Sequence, residues 1–450
     1  MNKFIKLVGI SSCALVFSQA SVAVVTAEQA DALGKTLTPV GAEMAGNTEG
    51  TIPAWSNDVS LTSSDPVYIT NPLTDETILY TITKENMDQY ADKLSEGAKQ
   101  LLSRKAGYHM NVYKTIRTAV APDHIYENSK INATKTILTH DGLKLDNWAP
   151  GVPFPMPQTG LEVIWNHLVR WIGPHYEGSS TAYYVGSTGT AVQASTQFVS
   201  YTSPSFTPDV DWGENNNEYA ILRANFTAPA RRAGEITLVR EPTDFSEGNG
   251  RKAWIYLAGQ RRVRRAPSVS FATPAPATAG NSTYDDNGIY NGSPELYNWK
   301  LIGKQECYIS YNNWRTTNVE DQGALLTKDF FEPEAVRWEL HRCWVVEADL
   351  KEGSKHIYGK RRYYLDEDTW IASMGDLYDT KGEFWRANFS FIALNYMNKS
   401  FTSSGGGIMY DFQSGIYSVG LPHPYTVTSM KKAKKPGYYT PGALKRSGAR

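Results

Sequence analysis

Between residues 179 and 421 apolar and polar positions alternate with a period of two, in short runs separated by turn residues. The runs fall at 182–184, 191–201, 218–226, 234–240, 253–257, 261–265, 299–309, 336–350, 356–365, 370–378 and 382–396. Breaks rich in Gly, Asp and Lys at 351–354, 366–368 and 379–382 join several of them. Strands linked by short turns predict an antiparallel meander. There is no helix–strand alternation of the kind a parallel sheet requires and no repeat of fixed period.

A period near 3.6 occurs twice upstream. Met87, Tyr90, Ala91, Leu94, Ala98, Leu101 and Leu102 predict one helix over 83–104, with Thr83 as its cap. Leu161, Ile164, Trp165, Leu168, Trp171 and Ile172 predict a second, stopped by Gly173-Pro174 and preceded by a stiff proline connector at 151–157. Residues 108–120 and 131–139 read as strands. Residues 24–60 read as a short helix at 28–35 and a Gly- and Pro-rich arm anchored by Ile52 and Trp55.

Two strands have no polar face to offer water. In the hairpin at 251–267, Ala253, Ile255 and Leu257 share one side while Trp254 and Tyr256 share the other. In 336–350, Trp338, Leu340, Trp344, Val346 and Ala348 form a broad apolar side interrupted by Arg342. Such faces require a helix, a second sheet or a ligand as cover. Ordinary core is one reading. The other makes Trp254, Tyr256, Trp338, Leu340, Trp344 and Trp370 the lining of a ligand cavity. Arg262 and Arg264 share one side of the second hairpin strand, suited to a solvated edge or to an anionic headgroup at a rim.

Composition sharpens this picture. Aromatic residues make up 12% of the chain, with 27 Tyr and 12 Trp, a mixture that favours strands. Lys3 and Lys6, the apolar run 7–17 and the small residues Ser21-Val22-Ala23 predict a signal peptide over residues 1–23 and export to a disulfide-permissive compartment. Cys13 falls inside the apolar run, which argues against a lipid anchor there. Cys307 and Cys343 then remain and are expected to pair. One β-rich domain is expected over 24–430. The residues from 431 onward, rich in Lys and Arg and without an acid, are expected to form a mobile basic tail able to touch anionic lipid. A formal net charge of −1 gives no reason to expect nucleic acid as a partner.

Catalytic chemistry is not localised by any motif. The chain lacks G-x-S-x-G, H-E-x-x-H, a Walker loop and C-x-x-C. His167 and His175 have no partners at metal-ligand spacing. The stretch from Asp209 begins like a calcium loop but departs from it at Glu214 and Ala220. No catalytic residue, metal or cofactor is therefore assigned.

Three stretches together resemble a known family: Leu37-Thr-Pro-Val-Gly-Ala-Glu43 through Gly50-Thr-Ile-Pro-Ala-Trp55, Pro153-Phe-Pro-Met-Pro157 through Trp165-Asn-His-Leu-Val-Arg170, and Gln260-Arg-Arg-Val-Arg-Arg-Ala-Pro267 with Asn291-Gly-Ser-Pro294. They are similar to the Gram-negative periplasmic proteins of domain of unknown function family 1329, related to the lipoprotein carriers LolA and LolB. The resemblance implies a mainly β fold, in which a large curved antiparallel sheet forms an incomplete barrel closed by a few helices around an apolar cavity. It also implies a carrier for a lipid-like molecule working beside an exporter of the resistance-nodulation-division type. A periplasmic ester hydrolase and an interaction module docked on an exporter or outer-membrane protein are the alternatives.

Overall fold

In a computed structural model the described residues are 25–63, 65, 69–213, 217–266, 271–317, 319–401, 406–423 and 434–448. The expected signal peptide and Glu214 lie outside them. The helices are α1 (Ala27–Ala30), α2 (Glu96–Arg104), α3 (Asp123–Lys135), α4 (Gly160–Leu168) and α5 (Pro441–Gly448). The strands are β1 (Tyr80–Ile82), β2 (Met110–Val112), β3 (Ile137–Thr139), β4 (Lys144–Asp146), β5 (His175–Val185), β6 (Ala191–Thr202), β7 (Glu218–Ala228), β8 (Ile236–Pro242) and β9 (Lys252–Leu257). They continue with β10 (Arg262–Arg265), β11 (Tyr297–Ser310), β12 (Trp338–Leu350), β13 (Tyr358–Asp366), β14 (Ala372–Asp379), β15 (Phe384–Ser390), β16 (Gly407–Asp411) and β17 (Tyr417–Pro422).

Two antiparallel meanders make one sheet. Strands β5 to β10 pair in sequence order, β11 to β17 do the same, and β17 pairs with β5. The free edges are thus β10 and β11, which are consecutive in the chain and joined by residues 266–296. The sheet is not closed into a barrel. Strands β1 and β2 extend it through a single parallel bridge, Trp338 to Val112.

Register divides the apolar residues by face, as a period of two dictates. The row Val345–Tyr364–Met374–Phe389–Ile408–Val419–Tyr183 belongs to one core with Leu94, Leu101 and Leu102 of the α2 region. The neighbouring row carries Val346, Tyr363 and Met409 to the opposite face, where Val163, Ile164, Trp165 and Leu168 of α4 cover them. Residues Ile289 and Tyr290 from the 266–296 connection pack on this second face too.

The helix expected over 83–104 is divided. A 3-10 turn at Met87–Lys93 ends at an extended Leu94, and Ser95 caps α2 by accepting from the backbone N–H of Ala98. Asp376 on β14 accepts the next free amides, those of Glu96 and Gly97. The strand expected over 131–139 is instead mostly α3, with only β3 extended, and the strand expected over 108–120 shortens to β2. Thr159 and Glu162 form a capping box that starts α4, which stops before Trp171 and Ile172. Within the arm the helix is only α1, while Ile52 is buried and the Trp55 indole donates to Ala119 O at 3.2 Å.

The tail expected to be mobile is folded over residues 434–448. Tyr439 and Leu444 are buried with Ile221, Leu238 and Tyr256, and Ser200 Oγ lies 3.0 Å from Tyr439 Oη. Gly448 is needed there, because a Cβ would come within 2.0 Å of the Tyr256 ring. Its basic side chains point outward, which is what makes the segment read as a solvated tail.

Candidate functional site

The six positions expected to line one cavity fall into three cores. Trp344 and Trp370 stack with centroids 6.0 Å apart. The Trp370 indole donates to Val40 O in the arm at 3.0 Å, and Lys304 Nζ stands 4.8 Å from the Trp344 ring. Trp338 and Leu340 belong to the other core, with Trp338 edge-on to Phe389 at 5.9 Å. Residues 338–342 lie beyond the stretch of β12 that pairs with β13, which begins at Cys343, and run beside β11 and, at Trp338, β2. Trp254 and Tyr256 lie under α5. Arg262 and Arg264 are exposed on the edge strand β10. Cys307 and Cys343 form the expected disulfide between β11 and β12, with Cα atoms 6.3 Å apart.

Face-to-face with the sheet, α4 places a residue whose contacts give no sequence signal. His167 Nδ1 accepts the backbone N–H of Ala372 at 3.0 Å. Nε2 must then carry the proton, and it donates to Tyr290 O at 3.0 Å. Burial, followed by the positive charge of Arg170, pushes its pKa down to about 3. A neutral imidazole thus ties the helix, the sheet and the 266–296 connection together.

Arg170 lies just past the end of α4 and donates from Nη1 to His167 O, which satisfies one of the free carbonyls there. Its Nε is buried without a hydrogen-bond partner. Desolvation lowers its pKa, and the groups that pull it back are the hydroxyls of Tyr201, Tyr176 and Tyr219. Tyr176 and Tyr201 stack at 4.8 Å on β5 and β6. Glu241, which like Arg170 acts on Tyr219, is already matched with Arg251 at 2.6 Å.

Two further networks are self-contained. Arg361 donates to Asp285 at 2.6 Å and to the hydroxyls of Tyr297 and Tyr363, both at 3.0 Å. Burial opposes charge on Asp285, but Arg361 and His356 outweigh it and hold the carboxyl down to about 2. This pins the 266–296 connection to β13. The other network gathers His341, Asp366 and Asp368, whose ligand atoms lie within 4.8 Å of one another. Its donor atoms are committed: the imidazole nitrogens face Asp366 and Glu339 at 3.1 and 3.0 Å, and Arg117 holds Asp368 at 2.8 and 2.6 Å. Arg117 thus already supplies Asp368 with a positive partner.

A surface cleft of about 660 Å³ opens elsewhere, near β1, β2 and the end of α2, and is lined in part by Ile78, Leu102, Tyr108, Lys84 and Arg104. None of the six expected lining residues borders it.

A family model described as "Protein of unknown function (DUF1329)" matches residues 81–445. The chain belongs to this family. It is 39% identical over 470 positions to an uncharacterized protein of Pseudomonas aeruginosa, an alignment that takes in 100% of this chain and 99% of that one. Among solved structures it is similar to a DUF1329 family protein from Desulfovibrio piger, at 16% identity and a TM-score of 0.41, covering 60% of this chain and 92% of that one. It is also similar to a LolA superfamily protein from Nitrosomonas europaea, at 12% identity and a TM-score of 0.37, covering 63% of this chain and 98% of that one. Superpositions this loose carry no argument about the site. The DUF1329 match itself takes in His167, Arg170 and both buried networks, and begins beyond the arm.

Proposed function

We propose that this DUF1329 chain is a non-enzymatic carrier of a lipid-like or other apolar molecule, exported to the periplasm of a Gram-negative envelope. The observation that supports it most is the open sheet, whose two meanders end at β10 and β11 without closing and which carries one face rich in Tyr and Trp. A sheet left open beside an aromatic face can admit an apolar chain without unfolding the molecule. Trp344 and Trp370 are the two expected lining residues on that face. Burial of about 300 Å² of ligand would contribute on the order of 7 kcal/mol before the loss of ligand freedom. Arg262 and Arg264 stand exposed on the β10 edge and would meet an anionic headgroup or membrane surface, and an envelope exporter would supply or receive the ligand. Native mass spectrometry of protein purified from the envelope, with solvent extraction of the bound fraction, tests the reading.

A further inference from the structure

We propose that Arg170 is the anchor for the carboxylate of an amphiphilic ligand, a fatty-acid-like monoanion whose alkyl chain lies along Tyr176, Ile172 and Phe271. The inference rests on the carrier reading and adds a headgroup to it. Its basis is an imbalance of charge. Among the described residues no carboxylate forms an ion pair with Arg170, and the groups acting on its charge are neutral phenols. Holding a guanidinium inside a fold without a counter-ion is costly, and Glu241 does not serve as one because Arg251 takes it at 2.6 Å.

The surroundings fit an occupant. Arg170 and Tyr176 are half-buried rather than closed off, and Asn287 and Gly288 beside them are exposed. A Cβ placed on Gly288 would lie 3.8 Å from Arg170 Nη2, so the guanidinium lies beside the backbone of this exposed turn. Ile172, Tyr176 and Phe271 are partly buried and pack against the same core, Tyr176 being among the groups that act on Arg170. One unmatched guanidinium calls for one negative charge, and a carboxylate matches its planar fork in two parallel hydrogen bonds. The phenols of Tyr176 and Tyr201 can donate to the same oxygens, since burial pushes both phenol pKa values up and keeps the protons on.

Delipidated full chain titrated with dodecanoate and with dodecanol, which shares the alkyl chain without the charge, tests this by calorimetry. The wild type should prefer dodecanoate by about tenfold or more. Arg170→Gln should erase that preference while leaving dodecanol affinity within about twofold. Arg170→Met should melt no lower than the wild type when empty, because it removes a charge that lacks a partner; a guanidinium with a purely structural role would give a lower melting point. Equal binding of acid and alcohol, or a preference that survives both substitutions, overturns the anchor and leaves the carrier reading standing. Acetate competing as well as dodecanoate would assign the site to small acids and overturn the amphiphile. Binding of neither chain compound overturns the carrier reading and this inference with it. Failure of both variants to fold would make Arg170 a structural residue and overturn the anchor.

Discussion

Asp376, in the middle of β14, accepts the backbone N–H of Gly97 at 2.9 Å, so the sheet itself caps the first turn of α2. The same carboxylate takes the amide of Glu96 at 3.0 Å and lies 3.1 Å from Tyr364 Oη. Gly97 is what permits the approach, because a Cβ there would fall 2.4 Å from that of Ala387. Asp376→Ala leaves three donors unmatched, the Glu96 and Gly97 amides and the Tyr364 hydroxyl, and should lower unfolding free energy by about 2 to 4 kcal/mol. Gly97→Ala should cost about 1 to 3 kcal/mol by overpacking. Urea unfolding of both variants checks the pair.

Acid should weaken the fold through His167. Its folded pKa of about 3 lies below the ordinary 6.5, so the stabilising neutral form is fully present above 6.5. As pH falls from 6.5 towards 3 the unfolded chain takes up a proton that the folded chain refuses, and stability declines. Asp376 acts in the opposite sense: burial raises its pKa from 3.8 to about 6, and its contribution is present below 3.8 and lost as pH rises through 6. His167→Gln should flatten the His167 part of the slope, and Asp376→Asn should steepen what remains. Urea midpoints measured across pH 4 to 8 separate the two.

The C-terminal segment should behave as part of the core. Leu444→Ala removes a fully buried side chain and should cost about 2 to 5 kcal/mol. A solvated tail would show no change in thermal melting.

Reduction of Cys307–Cys343 should destabilise the fold by about 3 to 4 kcal/mol in the chain-entropy account, given a sequence separation of 36. Melting with and without a reductant measures it, and Cys307→Ala should reproduce the reduced value within about 1 kcal/mol.

The strands and their meander were legible from short apolar runs between turn residues, even where β13 and β14 bury both faces, one in the core that includes α2 and the other in the core that includes α4. What misled was polar burial. On α3, Asn132 is fully buried because it donates to Ala149 O and Val152 O and accepts from Ala149 N, so the helix hides its inner face behind polar residues. Leu94 continues the apolar stripe across a real break, since Ser95 starts a new helix without disturbing the spacing. The α5 segment exposes its Lys and Arg and buries only a few residues, too few to register in composition. At the candidate site, His167 binds backbone atoms and Arg170 is defined by the acid it lacks. Neither relation leaves a pattern along the chain.

The most direct test is the mass of the protein in its natively purified state. Native spectra of chain purified without detergent should show one bound apolar or amphiphilic molecule per protein, released by solvent extraction and restored by adding dodecanoate. Trp344→Asp should then lose more binding than folding. A chain that holds its unliganded mass, and takes up neither dodecanoate nor dodecanol after extraction, would contradict the carrier account.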